Sequence, residues 1–415
     1  MSKYRVNGGI KLNGSTKIGG AKNAALPIII ATLLTKGISV IHNCPHLEDV
    51  NILIEILNNI GCKTKFENHT LEIDTLCINS TDLTFDLCER IRPSILLIGS
   101  LIANYGTVNI TYPGGCEIGP RPIDLHLKGL RALNIDIKEL HGFINATSPQ
   151  IKGNEILLDY PSVGATENIM MASCLAEGDT IIRNAAKEPE IVDLQNFLNS
   201  MGAKISGAGT NYIYIQSTDK LHPVEYSIIP DRVAAGTYMI AAAITGGEIE
   251  LQNIIIEHLQ PIIAKLRECG CSISYNGCLH LKAQPRLKAL DIIRTLPYPG
   301  FPTDLQAPIM SLMSIAKGTT IITETVFENR FNHVEELKKM GADIRVDGRI
   351  AVVRGVENLC GSNVTARDLR GGAALALAGL TANGDTVIDK SENIDRGYEC
   401  FDYILRELGA EINRI

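Results

Sequence analysis

One short string recurs six times along the chain: a helical tail, a glycine, then a β-branched strand. It reads Thr-Lys-Gly37-Ile-Ser-Val-Ile, Asn-Tyr-Gly106-Thr-Val-Asn-Ile and Ala-Glu-Gly178-Asp-Thr-Ile-Ile in the first half. It returns as Thr-Gly-Gly247-Glu-Ile-Glu-Leu, Ala-Lys-Gly318-Thr-Thr-Ile-Ile and Ala-Asn-Gly384-Asp-Thr-Val-Ile. The spacing is about seventy residues, longer than the roughly 20–50 of solenoid repeats, so each copy is a small subdomain. An apolar helix precedes each glycine, at 24–34, 94–103, 167–175, 234–244, 307–315 and 372–380. A second helix ends at Gly61, Gly202, Gly270, Gly341 and Gly409, with the second copy's landmark near Asn134. Glycine there is the expected left-handed residue just past a helix, and a strand follows. The unit therefore reads helix, strand, helix, strand, strand. Helices apolar on most faces belong inside their subdomains. Six units divide into two domains of three, with a boundary near 222–230. The opening strands at 4–6, 10–12 and 16–18 are able to complete either domain.

Composition narrows the functional classes. A chain of 415 residues accommodates two ordinary domains. Its 45% hydrophobic and 20% charged residues match an average soluble protein. The longest apolar run, 25–34, is too short for a bilayer, so no membrane association is expected. The opening Met-Ser-Lys-Tyr-Arg-Val lacks the apolar stretch of a signal peptide. Eleven cysteines are scattered without framework spacing, which suits a reducing compartment, and the expected location is the cytoplasm. Cys269, Cys271 and Cys278, with His280 nearby, fit no standard zinc spacing, and no metal is expected. A net charge of −7 argues against a nucleic-acid partner. The absence of Trp argues against base stacking. Anionic ligands therefore require positive charge concentrated locally.

That concentration lies just before the apolar helices, at equivalent positions of the repeats. These carry Gly20-Ala21-Lys22-Asn23, Arg90-Ile91-Arg92-Pro93, Ser162-Val163-Gly164-Ala165-Thr166, Asp231-Arg232, Thr303-Asp304 and Asp368-Leu369-Arg370. Helix N-termini offer free N–H groups and partial positive charge, suited to phosphate or carboxylate. Ordinary capping accounts for Asp231, Asp304 and Asp368. It does not account for Lys22, Arg92, Arg232 and Arg370, whose charge opposes the dipole. The second repeat also carries about four extra residues before its next landmark. They fall in Pro113-Gly-Gly-Cys116-Glu-Ile-Gly119-Pro-Arg121-Pro-Ile-Asp124-Leu-His126, a Gly- and Pro-rich stretch suited to a functional loop or a mobile lid. Cys116, flanked by glycine and near Arg121, reads as a reactive thiol; the alternative is a long turn with a spectator cysteine.

Gly-Gly-Ala-Lys22-Asn23-Ala-Ala-Leu-Pro and the Pro-Gly-Gly-Cys116 loop together resemble the UDP-N-acetylglucosamine 1-carboxyvinyltransferase (enolpyruvyl-UDP-N-acetylglucosamine synthase) family. Further matches are Pro161-Ser162-Val163-Gly164-Ala165-Thr166, Glu324-Thr-Val326-Phe327-Glu-Asn-Arg330-Phe331, Asp368-Leu-Arg370 and Ile394-Asp395-Arg396-Gly397-Tyr398, and the likeness runs from Lys3 to the C-terminus. The resemblance implies an α/β fold, a two-domain inside-out α/β barrel in which each domain has three repeats of a helix-and-strand unit around buried helices. The first domain is then 22–229, with the Cys116 lid loop. The second is 1–21 with 230–415, and the active site lies in the cleft between them. The implied chemistry is addition and elimination: transfer of the enolpyruvyl group of phosphoenolpyruvate to the 3-hydroxyl of UDP-N-acetylglucosamine, with release of phosphate. This is the first committed step of peptidoglycan synthesis.

The resemblance also implies roles. Lys22, Arg121 and Arg396 hold the phosphate of phosphoenolpyruvate, and Arg330 and Arg370 help bind its carboxylate or the intermediate, with Asn23 adjoining. The UDP-sugar is contacted by Asn23, Arg92, the segment Arg121, Pro122, Ile123, Asp124 and Leu125, by Ser162, Val163 and Gly164, and by Asp304 and Val326. Asp304 is the base for the sugar hydroxyl. Cys116 is the general acid and also forms an adduct with phosphoenolpyruvate. Lys22 and Arg396 join them as catalytic residues, while Asp231 and Asp368 support the site from behind. No cofactor is implied, and the family is usually monomeric. Glu188 and Glu190 resemble family positions too. Tyr160 stands where many relatives have a basic residue supporting the diphosphate.

Three rivals fare less well. A 5-enolpyruvylshikimate-3-phosphate synthase lacks the Pro-Gly-Gly-Cys loop and opens its first helix on a Ser-Lys-Ser type motif. A non-catalytic member of the fold should have lost Lys22, Cys116, Asp304 or Arg396. A sliding clamp needs a basic central face. Cys116, where some family members carry Asp, predicts alkylation by the epoxide antibiotic fosfomycin. Intact-protein mass spectrometry should show the drug's added mass at saturation; an unchanged mass contradicts a reactive Cys116.

Overall fold

A helix with no polar side is stable only when other elements surround it. The computed structural model, which describes every residue except Met1, Phe85, Gly115–Ile118, Pro120 and Arg121, contains six such helices among the described residues. They are α1 (Lys22–Ala31), α2 (Leu97–Tyr105), α3 (Val163–Ser173), α4 (Arg232–Thr245), α5 (Gln306–Met313) and α6 (Leu369–Gly379). In α6 the ten residues from Arg370 to Gly379 are all buried. Small residues let these helices approach closely. A Cβ on Gly236 of α4 would lie 2.6 Å from Leu305 Cδ1, and one on Gly99 of α2 only 2.3 Å from Asn168 Oδ1 of α3. Asn168 uses that closeness: its Oδ1 accepts from Gly99 N at 2.8 Å and its Nδ2 donates to Ile95 O at 3.0 Å.

The chain forms two compact units, with breaks between Gly19 and Gly20 and between Ile229 and Pro230. One contains Met1–Gly19 and Pro230–Ile415; the other is built from residues between Gly20 and Ile229. Each has its own apolar core. In the first, α4, α5 and α6 pack against one another; in the second, α2 packs against both α1 and α3.

Each repeat contributes one four-stranded sheet. Three strands are antiparallel, and one edge strand runs parallel to its neighbour. Glu155–Leu157, for example, pairs parallel to Thr180–Arg183, which pairs antiparallel to Tyr212–Gln216. The expected order of helix, strand, helix, strand, strand therefore omits this edge strand. The edge strands run from two residues (Asp82–Leu83) to five (Asn13–Lys17), too short for a legible alternation.

Two edge strands are exchanged in chain order. Asn13–Lys17 precedes α1 in sequence but pairs with Glu248–Gln252, which follows α4. Glu225–Ser227 precedes α4 but pairs with Ile38–His42, which follows α1. The opening strand Lys3–Asn7 fills the sheet of the last repeat, between Asp385–Asp389 and Glu411–Arg414. The N-terminal strands are thus built into the unit holding the C-terminal half.

The glycine landmarks behave as expected with one shift. Gly61, Gly202, Gly270, Gly341 and Gly409 all have positive φ, and Asn134 takes the same conformation at φ 65°. In the fourth repeat the left-handed residue is Gly246 (φ 63°), not Gly247. Gly247 is needed for contact instead, since a Cβ there would lie 2.3 Å from Leu12 O.

Two glycines separate packing from backbone strain. A Cβ on Gly355 would lie 1.6 Å from Ala316 O, whereas Gly384 has φ +89° with nothing within 4 Å. Gly355→Ala is expected to destabilise by about 3 kcal/mol through overpacking and Gly384→Ala by about 1 kcal/mol through strain. Urea midpoints of the two variants test this, and equal losses would contradict the packing at Gly355.

Candidate active site

In the unit containing α4, α5 and α6, the starts of α5 and α6 meet at one carboxylate. Asp304 lies in the short 3₁₀ turn Thr303–Leu305 that leads into α5. Arg370 is the second residue of α6, and Arg330 comes from the loop before helix Val334–Lys339. Arg330 Nη2 donates to Asp304 Oδ1 at 2.6 Å, and Arg370 Nη2 to Oδ2 at 3.0 Å. Both arginine side chains are almost wholly buried. Burial by itself raises the Asp304 pKa, but the Arg370 and Arg330 guanidiniums outweigh it and hold the carboxyl well below the usual carboxylate range. The Arg370 guanidinium also lies 5.0 Å from the Tyr398 ring centroid, and Arg330 the same distance from Phe327.

Asp304 is therefore not a helix cap, contrary to the capping account of its position. Its oxygens are engaged by guanidiniums, and the start of α5 has no side-chain cap. Asp231 and Asp368 are caps: Asp231 Oδ1 accepts from Val233 N and Ala234 N, and Asp368 Oδ1 from Arg370 N and Gly371 N. Asp231 also supports the positive charge of Arg370. Arg330 Nε and Arg370 Nη1 are buried without a hydrogen-bond partner among the described residues. They are spare donors, suited to a planar anion. Val326 and Arg396 are half-buried in the same unit. Asp395, the neighbour of Arg396, is engaged by Arg414 Nη1 at 2.7 Å.

In the other unit, Lys22 is the first residue of α1 and is buried. Its Nζ pairs with Asp49 Oδ2 at 2.7 Å, with both side chains under one-tenth exposed. Asn23 beside it is exposed. Arg92 opens the 3₁₀ turn Arg92–Leu96 and is half-buried. Ser162 caps α3 through Ala165 N at 3.3 Å, with Val163 and Gly164 in the first turn. A Cβ on Gly164 would lie 2.9 Å from His126 Cε1, so the start of α3 abuts helix Asp124–Ala132. Pro122 and Asp124 are exposed, Leu125 is half-buried and Ile123 is buried. Cys116 and Arg121 lie outside the described residues. Tyr160 is 40% exposed.

Glu188 and Glu190 lie with a different group. Burial, then Glu190 and Glu188, raise the pKa of Glu167 well above its ordinary value, a shift that its sequence position did not announce. Asp49 was equally silent, because acidic residues in a first helical turn are ordinary. Of the cysteine group, Cys269 and Cys271 are buried thiols that burial pushes up to about 12, and His280 turns towards Glu250 at 3.5 Å. No metal-binding group of three or more ligands occurs among the described residues. No described helix is long and apolar enough to cross a membrane.

Comparison with known proteins places this geometry in a family. The family model for EPSP synthase (3-phosphoshikimate 1-carboxyvinyltransferase) matches residues 6–405. UDP-N-acetylglucosamine 1-carboxyvinyltransferase 2 of Caldanaerobacter subterraneus subsp. tengcongensis is 55% identical over 100% of both chains. The chain belongs to the UDP-N-acetylglucosamine 1-carboxyvinyltransferases. The enzyme of that name from Symbiobacterium thermophilum is 52% identical over 100% of this chain and 95% of its own. Among solved structures, the enolpyruvyl transferase NikO from Streptomyces tendae superposes with a TM-score of 0.90 at 23% identity, covering 100% of this chain and 99% of its own. An EPSP synthase from Acinetobacter baumannii gives 0.77 at 20% identity, covering 100% of each chain. Both show the enolpyruvyl transferase fold.

In this family member, His333 is a further buried group that the sequence did not mark. It is 2% exposed, and neither ring nitrogen has a partner among the described residues. Burial pushes its pKa down to about 4; the Arg330 charge reinforces the shift, while Asp368 and the Arg330 backbone oppose it. The unfolded chain, with a histidine pKa of about 6.5, binds this proton first, so the contribution is fully present above pH ~6.5 and is lost as pH falls towards 4. His333→Phe should flatten the stability–pH curve between pH 7 and 4.5 relative to the parent. Parallel curves would contradict a neutral His333; groups of opposite sign such as Asp193, raised to about 6 chiefly by burial, cancel in the difference.

Proposed function

We propose that the chain transfers the enolpyruvyl group of phosphoenolpyruvate to the 3-hydroxyl of UDP-N-acetylglucosamine, releasing phosphate, as the first committed step of peptidoglycan synthesis. The observation that carries this reading is the Asp304 carboxylate between two buried guanidiniums that keep donors spare. A base for a hydroxyl and a receptor for a carboxylate are thus one assembly.

The arrangement suggests how binding activates the base. With Arg330 and Arg370 on its two oxygens, Asp304 is a weakened base. An incoming phosphoenolpyruvate carboxylate competes for the same guanidiniums. Each hydrogen bond it withdraws raises the Asp304 pKa. Asp304 then accepts the proton of the 3-hydroxyl as the sugar oxygen bonds to C2 of phosphoenolpyruvate. Cys116 supplies the proton that C3 gains, and the tetrahedral intermediate loses phosphate as C3 returns a proton. Lys22, Arg121 and Arg396 neutralise the leaving phosphate. Arg92, the segment Arg121 to Leu125, Ser162, Val163, Gly164 and Val326 hold the UDP-sugar, with Asn23 bridging to phosphoenolpyruvate. Asp231 and Asp368 hold the starts of α4 and α6 in place. No cofactor is called for, and the reading carries with it a monomeric enzyme of the cytoplasm.

Phosphate release from phosphoenolpyruvate should occur with UDP-N-acetylglucosamine and not with shikimate 3-phosphate. Asp304→Ala should lower it by about 100-fold or more. Release with shikimate 3-phosphate instead would assign the chain to the other branch of the fold. A folded protein active with neither acceptor would contradict catalysis.

A further inference from the structure

Next to the Asp304 cluster lies a buried carboxylate with four hydrogen bonds that no step above uses. Glu324, only 1% exposed, closes strand Thr319–Thr323. Its Oε1 accepts from Thr295 Oγ1 at 2.8 Å, Val326 N at 2.8 Å and Phe327 N at 3.2 Å. Its Oε2 accepts from Thr303 Oγ1 at 2.9 Å. The Thr303 oxygen in turn lies 2.8 Å from Arg330 Nη1, while Arg330 Nη2 holds Asp304.

The proton inventory fixes the direction of this chain. A guanidinium only donates and an ionised carboxylate only accepts, while a hydroxyl has one proton and spare lone pairs. Thr303 must therefore give its proton to Glu324 and receive one from Arg330. With Nη1 tied to Thr303, the guanidinium cannot turn about its bond to Asp304, and its two N–H forks are aimed. The same carboxylate fixes the chain at Val326 through two backbone N–H groups. Charge-assisted bonds in a buried setting are the strong ones, so one side chain holds both features rigidly.

We propose that Thr303 and Glu324 are positioning residues for the transfer: Glu324, through Thr303, aims Arg330 at Asp304 and the incoming anion, and directly sets the backbone that contacts the sugar at Val326. This rests on the roles given to Asp304, Arg330 and Val326 under the proposed function. Neither residue touches substrate in this scheme. Thr303 therefore governs turnover, and Glu324 governs both turnover and the fit of the UDP-sugar.

The test is steady-state phosphate release by the full chain, with phosphoenolpyruvate and UDP-N-acetylglucosamine each varied, alongside melting midpoints. Thr303→Val keeps the shape and removes the hydroxyl. It should lower kcat by about tenfold or more while KM for UDP-N-acetylglucosamine moves less than about threefold. Thr303→Ser restores the hydroxyl and should return kcat to within about threefold of the parent. Glu324→Gln turns one acceptor end into a donor, so it cannot satisfy Thr303 and the Val326 and Phe327 N–H groups together. It should lower kcat and also raise KM for UDP-N-acetylglucosamine. Parental kcat in Thr303→Val, equal losses in the Val and Ser variants, or losses that track unfolded protein would overturn the inference alone. A parent that releases no phosphate with this substrate pair would overturn the functional reading, and the inference with it.

Discussion

The structure depends on enclosing helices that have no polar face. Three such helices in each unit are buried on nearly every face, and the four-stranded sheets supply the surrounding layer. Alanine and glycine make this possible, because a buried helix surrounded by other elements has no room for large side chains on every face. Enclosure also decides where polar chemistry is tolerated. The middle of a buried helix has satisfied backbone groups, whereas its first turn leaves N–H groups without intrahelical partners. Polar and charged side chains accordingly collect at the helix starts: Asp231, Asp368 and Ser162 as caps, Lys22 and Arg370 as charges.

A buried charge must be paired or it neutralises. Lys22 has Asp49, and Asp304 has two arginines. The lysine and arginines of these pairs are groups suited to bind anions. Under the proposed function, a substrate carboxylate that draws on the same guanidiniums would raise the basicity of Asp304, since those guanidiniums are what hold its pKa down.

The exchange of edge strands has a comparable economy. Asn13–Lys17 and Glu225–Ser227 each complete a sheet that does not hold the helix next after them in sequence. Each crossing point lies just before a helix start, at Lys22 and at Asp231, so strand pairing holds the chain close to both residues. Folding of the unit that holds α4, α5 and α6 therefore requires strands Lys3–Asn7 and Asn13–Lys17 from before the first crossing, long-range contacts with their associated closure entropy.

Much of this was legible in the residues themselves. The recurring glycines and apolar runs determined six repeats, six enclosed helices and a chain reversal after each second helix, because left-handed backbone and all-round apolarity are local properties. The motifs around Lys22, Cys116, Ser162, Arg330, Arg370 and Arg396 pointed to the family. Only the tertiary structure decided the rest. The parallel edge strands are too short to carry a pattern, and their exchange is a matter of which sheet has a vacant edge. Asp304 looked like a cap because an acidic residue at a helix start normally is one; that it instead binds Arg330 and Arg370 depends on side chains 26 and 66 residues away. Asp49 and His333 looked ordinary for the same reason: burial and charge pairing belong to the space around a residue, and that space exists only once distant segments have packed.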